Sequence, residues 1–265
     1  PDQPAEVGYY YNMGVAFRVA VSGKYAYVAD VDGLRVVDVA DPANPRVVGF
    51  ADLPGTVRDV AVFGDYAYTA NEYAGLYVVN IADPANPAAI GFYDPPGYAY
   101  GVSVAGSYAF VADGENGLRV VDISNPVTPQ EIGLFDTPDQ ANGVAVAGNY
   151  AYVADGNAGL RVVNISDPAH PIEVGFYDTP GDARSVVLDG SYAYVADGPA
   201  GLRVVNITDP AQPVEVGYLD TQGEAYGVAV SGGYAYLADG PWGLLVLRYT
   251  GEVVPFWINL PLVMR

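Results

Sequence analysis

Apolar and polar positions along the chain alternate with a period of two residues, in short runs separated by Gly, Pro, Asn and Asp. The clearest run is Tyr192 to Ala196, where large and small side chains alternate just after Gly190. Such alternation predicts a strand whose side chains point to opposite faces of a sheet. Similar runs predict strands at Arg184 to Leu188, Gly201 to Ile207 and Val214 to Leu219. In chain order we call these four strands A, B, C and D.

The four-strand pattern recurs six times. Each copy of strand B reads Tyr, Ala and an aromatic residue, then Val, Thr or Leu, then Ala and Asp or Asn; the copies begin at Tyr25, Tyr66, Tyr108, Tyr150, Tyr192 and Tyr234. The first interval is 41 residues and the other four are 42. A repeat of this length is typical of a four-stranded propeller blade. The sequence therefore predicts an all-β fold, a six-bladed β-propeller with four-stranded blades of about 42 residues.

Turn residues support these strand boundaries. A glycine stands two residues before every strand B, which favours a backbone with positive φ at that point. Between strands C and D, the segment Asp209 to Pro213 predicts a loop, because proline cannot donate a hydrogen bond to the sheet. The Tyr and Ala side chains of strand B are expected to interdigitate between neighbouring blades, and packing explains most of the 23 tyrosines.

Two phrases of the repeat resemble a known family. Residues 192–198 read Tyr-Ala-Tyr-Val-Ala-Asp-Gly, and residues 201–210 read Gly-Leu-Arg-Val-Val-Asn-Ile-Thr-Asp-Pro. Both are similar to LVIVD-repeat proteins, which are bacterial and archaeal surface or secreted propellers. The resemblance covers the chain up to about Tyr249 and implies the propeller fold. It implies no catalytic residues, since the family has no established shared activity.

The N-terminal segment predicts how the ring of blades closes. Pro4 to Tyr10 reads like Pro213 to Leu219, so it is a strand D without strands A to C of its own. We expect residues 1–11 to be a closing outer strand that pairs with strand C of the last blade, Gly243 to Tyr249, and removes an open edge. The predicted domains are a propeller over residues 1–250 and an apolar C-terminal tail over residues 251–265.

The tail supplies one more candidate strand D than the six blades need. Pro255 lies 12 residues after Gly243, as Pro213 lies 12 residues after Gly201. The N-terminal copy keeps the Glu and Gly of the repeat, whereas the tail has Trp257 and Asn259 there, so closure is assigned to the N-terminal copy. The candidate residues for closure and assembly are Glu6, Val7, Tyr9, Phe256, Trp257, Ile258, Leu260 and Leu262.

The apolar tail is expected to be buried, because burial contributes ~25 cal/mol per Å² of apolar surface. It would dock on its own propeller as an extra edge strand or cap. Alternatively, a terminal strand would complete a neighbouring molecule head to tail and build a filament or layer. Membrane or cell-wall anchoring is a third possibility. The most apolar stretch, Val253 to Met264, is too short for a transmembrane segment.

Composition removes most familiar chemistries. The net charge of −20 disfavours nucleic acid as a partner. The chain has no Cys and a single His, His170, so multi-histidine and Cys-ligated metal sites are excluded. His170 lies in a variable loop position and is expected to be solvated. No metal site, cofactor or catalytic residue is predicted.

Residues that break the repeat mark the entrance to strand A. These candidate ligand-binding residues are Phe17, Arg18, Arg58, Tyr100, Asn142, Arg184 and Tyr226, with Asp59 beside Arg58. Propellers commonly bind ligands where their inner strands converge, so arginine and tyrosine here would suit an anion or a stacked sugar. The alternative, which we favour, is that they are structural ion pairs and filler.

Other repeated polar residues have structural interpretations. Asp30, Asp113, Asp155 and Asp197 end strand B in the copies that carry Arg35, Arg119, Arg161 and Arg203 on strand C, which predicts structural ion pairs. An Asp after strand D in five copies is expected to cap a turn. Asn164 and Asn206 fit the N-glycosylation sequon, but both are variants of the repeat phrase, so chance matching is favoured.

These observations predict a non-catalytic extracellular or cell-surface propeller with a structural or protein-interaction role. Its expected partners are copies of itself or other surface proteins, and head-to-tail assembly through a terminal strand would produce a filament or layer. The alternative is a ligand-binding or enzymatic propeller that uses the entrance of strand A for a glycan or an anionic small molecule.

Overall fold

The computed structural model describes residues 6–11 and 14–248. Within these residues, antiparallel strands form six sheets, five with four strands and one with three. In every sheet the strands lie side by side in chain order, as consecutive hairpins. Each sheet corresponds to one predicted copy of the repeat, and we number them blades 1 to 6. The predicted all-β six-bladed fold is confirmed.

Blades 1 to 3 belong to one compact unit, which contains the described residues up to 134. Their strands are β1 (Ala16–Ser22), β2 (Tyr25–Asp30), β3 (Gly33–Asp38), β4 (Arg46–Asp52), β5 (Asp59–Phe63), β6 (Tyr66–Ala70), β7 (Leu76–Asn80), β8 (Ala88–Tyr93), β9 (Gly101–Ala105), β10 (Tyr108–Ala112), β11 (Leu118–Asp122) and β12 (Gln130–Phe135).

Blades 4 to 6 belong to a second compact unit, which contains the described residues from 135 onward. Their strands are β13 (Ala141–Ala147), β14 (Tyr150–Asp155), β15 (Leu160–Asn164), β16 (Ile172–Tyr177), β17 (Ser185–Asp189), β18 (Tyr192–Ala196), β19 (Leu202–Asn206), β20 (Val214–Leu219), β21 (Gly227–Ser231), β22 (Tyr234–Ala238) and β23 (Leu244–Arg248). A 3-10 turn at Gly240–Trp242 precedes β23.

The predicted strands of the fifth copy agree with blade 5. β18 and β20 have the predicted bounds, and β17 and β19 differ from the predictions by one residue at both ends. The shorter first interval arises in the turn between strands B and C. In that turn two residues separate Asp30 from Gly33 in blade 1, whereas three residues separate Asn71 from Gly75 in blade 2.

The apolar core of each unit lies between neighbouring sheets. Between blades 1 and 2, Tyr27 and Leu34 of blade 1 pack with Ala67 and Val79 of blade 2, and all four are buried. The same arrangement recurs between blades 4 and 5, where Tyr152 meets Ala193. The expected interdigitation of Tyr and Ala is therefore observed, and it explains why the middle strands are buried on both faces.

Strand D passes very close to the loop that joins strands C and D in the next blade. A Cβ atom on its central glycine would lie 2.1–2.3 Å from a proline carbonyl oxygen of that loop, closer than any side chain can be placed. The pairs are Gly8 with Pro42, Gly49 with Pro84, Gly91 with Pro126 and Gly175 with Pro210. These glycines are required by this close approach and not by a positive φ.

The N-terminal segment therefore takes the place of a strand D relative to blade 1. Gly8 packs against the carbonyl of Pro42 as Gly49 packs against the carbonyl of Pro84. Residues 6–9 and 43–46 line a cleft of about 460 Å³. Residues 6–11 form no strand, and the exposed side chains include Glu6, Val7 and Tyr9. The predicted pairing of this segment with the last blade stays a prediction.

The last blade has three described strands. Leu244 at the start of β23 is 43% exposed, whereas Leu202, its counterpart in blade 5, is fully buried under a fourth strand. The tail candidates Phe256, Trp257, Ile258, Leu260 and Leu262 lie outside the described residues, as do residues 1–5.

Replacing Gly8 by Ala tests the seat of the N-terminal segment. The added methyl group would collide with the carbonyl oxygen of Pro42, and such overpacking costs about 1–3 kcal/mol. We expect G8A to lower the thermal midpoint and to speed proteolytic cleavage before residue 11. G91A should destabilise the protein by the same mechanism. A G8A variant as stable and as resistant as the wild type would show that the segment is not seated on blade 1.

Candidate functional site

The backbone fixes the residues at the entrance of strand A. The amide nitrogens of Arg58, Tyr100, Arg184 and Tyr226 each donate to the carbonyl of the last alanine of strand B in their own blade, at 2.8–2.9 Å. Phe17 lies within β1 and Asn142 within β13, each at a point where the pairing with the next strand shifts by one residue. The predicted residues thus occupy equivalent places in successive blades.

In the unit of blades 1 to 3, Arg58 contacts a ring and a carboxylate, and its side chain is 37% exposed. Its guanidinium carbon lies 4.4 Å from the ring centroid of Phe17, and its nitrogens are hydrogen-bonded and ion-paired to Glu72. The backbone of Glu72 is in turn paired with Ala99 of the next blade through two hydrogen bonds of 3.0 Å. The positive charge of Arg58 is therefore compensated inside the protein.

Glu72 has an unusual backbone for its residue type. Its φ is +43°, and no other non-glycine residue in the described chain has a positive φ. The corresponding turn positions in blades 3 to 6 are Gly114, Gly156, Gly198 and Gly240. A left-handed conformation costs a non-glycine residue about 1–2 kcal/mol. The partly exposed ion pair with Arg58 offsets only part of that cost, since such pairs contribute about 0–1 kcal/mol.

Asp59, Arg18 and Tyr100 also have partners in this unit. Asp59 accepts a hydrogen bond of 3.0 Å from the amide of Val102 in the next blade. Burial raises the pKa of Asp59, while the charge of Arg18 and the amide of Val102 act in the opposite direction. The ring of Tyr100 stacks on that of Tyr98, with centroids 6.1 Å apart.

In the unit of blades 4 to 6, Arg184 has an equivalent set of partners. It donates to Asp182 at 2.9 Å and to Glu224 at 2.8 Å, and its guanidinium carbon lies 4.5 Å from the ring centroid of Tyr226. The Tyr226 hydroxyl donates to Glu224 as well, at 2.9 Å. Burial alone would lower the pKa of Arg184, but the hydrogen bonds to both carboxylates outweigh it and raise that pKa. The side chain of Asn142 donates to the carbonyl of Ala183.

The charged residues at the entrance of strand A are therefore paired with one another, although several of them stay partly exposed. Arg58 and Arg184 each have a carboxylate on one side and an aromatic ring on another, so neither presents an uncompensated charge to an anion. The acidic partners Glu72, Asp182 and Glu224 escaped the sequence analysis. Glu72 could have been noticed in the sequence, because it stands where copies 3 to 6 have glycine. Nothing in the sequence distinguishes Asp182 and Glu224 in a comparable way.

The ion pairs between strands B and C form as predicted. Each Asp is fully buried, and the distances to its arginine are 3.3 Å for Asp113 and Arg119, 3.8 Å for Asp155 and Arg161, and 3.6 Å for Asp197 and Arg203, with Asp30 paired to Arg35. In blade 2 Asn71 donates to the carbonyl of Pro54 instead, and the ring of Tyr77 stacks on Phe92. These residues serve the architecture of the blades.

A tyrosine on strand D connects these ion pairs to the preceding blade. Tyr177 of blade 4 donates to Glu215 of blade 5 at 3.0 Å, and Arg203 lies 3.8 Å from the same carboxylate. Burial and the contact with Glu215 raise the pKa of Tyr177 to about 12. Tyr93 and Glu131 make the same contact between blades 2 and 3. Neighbouring blades are thus linked by a buried polar chain as well as by apolar packing.

The turn residues have local roles. The side-chain oxygens of Asn164 and Asn206 accept from the amides of Ser166 and Thr208 at 2.9 Å, the contact that Asp38, Asn80 and Asp122 make in other blades. The two sequon positions are thus turn caps. His170 is exposed, 3.0 Å from Asp167.

The aspartates after strand D are not all turn caps. Asp178 and Asp220 accept hydrogen bonds from Arg161 at 3.1 Å and from Arg203 at 2.6 Å. The expectation of a capped turn is therefore wrong for these two residues, because a strand C arginine reaches them across the sheet.

Residues 6–11 and 14–248 contain neither a metal-binding cluster nor a membrane-spanning helix. No group of three or more His, Cys, Asp or Glu side chains there could hold a metal ion. No helix in that part of the chain is long and apolar enough to cross a bilayer.

Comparison with known proteins identifies the repeat. The family model described as LVIVD repeat matches six segments of the chain, at residues 13–52, 54–95, 96–137, 138–179, 180–221 and 222–247. These segments coincide with the six blades. No curated protein matches the chain.

Solved structures share the fold at low sequence identity. A chain of a mitotic checkpoint complex has a TM-score of 0.75 and 12% identity, covering 92% of this chain and 79% of that one. The β-propeller domain of Myceliophteria thermophila Cps50 (Swd1) gives 0.72 and 13%, covering 95% and 89%. A functionally unknown protein from Desulfotomaculum acetoxidans DSM 771 gives 0.72 and 16%, covering 92% and 85%. These likenesses show the fold alone.

The buried carboxylate of Asp113 should make stability depend on pH. Burial raises its pKa from 3.8 to about 6, against the opposing effect of Arg119. A raised pKa means that the folded state favours the protonated acid, so this contribution is present below pH 4 and is lost as pH rises to 6. The shift corresponds to about 3 kcal/mol at most.

Asp113→Asn removes that titration and has a natural precedent in Asn71. We expect the free energy of unfolding of the wild type, measured in urea from pH 4 to pH 7, to fall relative to that of D113N by up to about 3 kcal/mol. Parallel stability curves for the two proteins would show that the Asp113 carboxyl does not have a raised pKa.

Proposed function

The chain belongs to the LVIVD-repeat family, and from this we propose that it is a non-catalytic extracellular or cell-surface propeller that binds other copies of itself. In this proposal the blades form a stable scaffold and the apolar C-terminal tail makes the contact with a neighbouring molecule. The location outside the cytoplasm is supported by the surface and secreted proteins that the repeat resembles. The net charge of −20 suits a protein that must stay soluble at high density.

The observation that carries the proposal is the position of Gly8. The N-terminal segment is already seated on blade 1 of its own chain, in the place of a strand D. The tail contains a second segment in strand D register, but Asn259 stands where this seat requires glycine. An Asn Cβ atom would meet the Pro42 carbonyl oxygen at the 2.2 Å separation found for Gly8. The tail therefore does not fit the seat that Gly8 occupies.

The tail is left with large apolar side chains and needs another surface. Phe256, Trp257, Ile258, Leu260 and Leu262 together would expose an apolar stretch that soluble proteins rarely leave open. A tail that docks on the next copy makes a heterologous contact, and such contacts continue into rings or filaments. This favours self-association over a monomeric role.

The contacts at the entrance of strand A weigh against the ligand-binding or enzymatic alternative. Arg58 and Arg184 are the residues that an anionic ligand would use, and both are already ion-paired and stacked on a ring. An incoming anion would have to displace Glu72 or Glu224, at the cost of an unpaired carboxylate. We therefore propose protein association as the main role.

Deleting Glu252 to Arg265 tests this function. We expect the full chain to form particles larger than one chain, growing with protein concentration, and the truncated chain to be monomeric with an unchanged thermal midpoint. The measurements are size-exclusion chromatography with light scattering and electron microscopy of the particles. A variant that keeps the length, with Phe256, Trp257 and Ile258 each replaced by Ser, should behave like the truncation.

Glu252→Gln is the matched control, because it changes the same segment without removing apolar surface, and it should assemble like the wild type. If the full chain is monomeric at all concentrations, the tail has no role in assembly. Assemblies that persist after the deletion would place the contact elsewhere on the propeller.

A further inference from the structure

Blades 4 and 5 each present a ring, a guanidinium and a carboxylate together at the outer edge of the sheet. In blade 4 these are Phe176, Arg161 and Asp178, and in blade 5 they are Tyr218, Arg203 and Asp220. We call each group a rim set. The ring lies on strand D, and the carboxylate follows two residues later, directly after the strand ends.

Each rim set is organised by its arginine. Arg161 pairs in register with Phe176 across the sheet, and its guanidinium carbon lies 4.7 Å from the ring centroid. The same guanidinium donates to Asp178 at 3.1 Å. In blade 5 the corresponding distances from Arg203 are 4.9 Å to the ring of Tyr218 and 2.6 Å to Asp220. One side chain thus fixes the ring and the carboxylate relative to each other.

The rim sets remain open to solvent. Phe176 is 51% exposed and Tyr218 is 42% exposed, although an arginine covers one face of each ring. The carboxylates of Asp178 and Asp220 are about two-thirds exposed, at 65% and 66%. The arginines themselves are nearly buried. An approaching ligand therefore meets one apolar ring face beside a carboxylate that is already in place.

Charge decides which ligand fits. Each arginine also lies 3.6–3.9 Å from two further carboxylates, those of Asp155 and Glu173 in blade 4 and of Asp197 and Glu215 in blade 5, so each rim set keeps a net negative charge. The lone pairs of the exposed carboxylate that are not bonded to arginine still accept hydrogen bonds. The net charge of −20 repels anions. A neutral ligand with an apolar face and many hydroxyl groups matches both surfaces, because its C–H groups would lie against the electron-rich ring and its hydroxyls would donate to the carboxylate.

We propose that the two rim sets bind sugar units of a neutral polysaccharide. The two sets lie at equivalent positions of neighbouring blades in one unit. In this proposal one polymer chain engages both sets and gains affinity from bivalence. The residues of this site differ from those at the entrance of strand A. It would allow the propeller to adhere to a glycan-coated surface.

Blades 1 and 2 provide natural comparisons. In blade 2 the ring of Phe92 lies on Tyr77 instead of on an arginine. In blade 1 Arg35 lies under Phe50, but its ion pairs are with Asp30 and Asp32 on its own side of the sheet. Neither blade shows the complete rim set, so exposed aromatic area alone should not bind.

Native gels containing a soluble neutral polysaccharide test the proposal. The probes are mixed-linkage β-glucan, arabinoxylan and galactomannan, with alginate as the anionic comparison. We expect at least one neutral polymer to retard the wild type and alginate to leave it unretarded. The double variant F176A/Y218A should migrate as in a gel without polymer, and each single variant should bind more weakly by on the order of 10²-fold, since bivalence is lost.

Phe92→Ala is the matched control, because it removes an equivalent exposed ring that has no arginine beneath it; it should be retarded like the wild type. D178N/D220N should bind more weakly than the wild type, while thermal melting shows that all variants fold. No retardation by any neutral polymer, retardation by alginate alone, or an equal loss in F92A and F176A would overturn the proposal.

Discussion

The backbone of strand D runs so close to the next blade that only glycine can stand at its centre. A Cβ atom at Gly49, Gly91 or Gly175 would lie 2.1–2.3 Å from a carbonyl oxygen of the following loop. This contact sets the distance between neighbouring sheets at their outer edge. The apolar side chains between the sheets must then fill a gap of fixed width, and the Tyr and Ala pairs of strand B do so.

The charges of this acidic protein are arranged around the same packing. Buried aspartates at the end of strand B are held by arginines of strand C and by amides that lead into the blade, such as the amide of Gly97 on Asp113. Buried ion pairs of this kind contribute little net stability, but removing one partner is costly. Their role is to fix the order and spacing of the strands. Most arginines of the chain therefore serve the fold, and those at the entrance of strand A are paired with carboxylates and offer no open cationic site.

The fold could be predicted from the repeat, because the alternation of side chains marks strands B and D. The glycine and proline residues beside these strands mark where they begin and end. The N-terminal segment could be recognised as a copy of the strand D sequence, since Gly8 matches Gly217 of the repeat. The reason for that glycine appears only in the close contact with Pro42. The partners of Arg58 and Arg184 were not predictable from spacing, because Glu72 and Glu224 reach them from other loops. The rim sets were not predicted for a similar reason. The ion pair between Arg161 and Asp178 crosses from one strand to the next, and the sequence had given each of the two residues a separate structural explanation.

The seat of the N-terminal segment on its own blade 1 can be measured directly, because the chain has no native cysteine. Val7 and Asn44 line the same cleft and can be replaced together by cysteine. A short bismaleimide should then link the two positions within one chain, giving a faster-migrating monomer on a denaturing gel and no change in either single variant. A linked dimer, or no linkage at all, would contradict the account, since the segment would then lie on another molecule or on no blade.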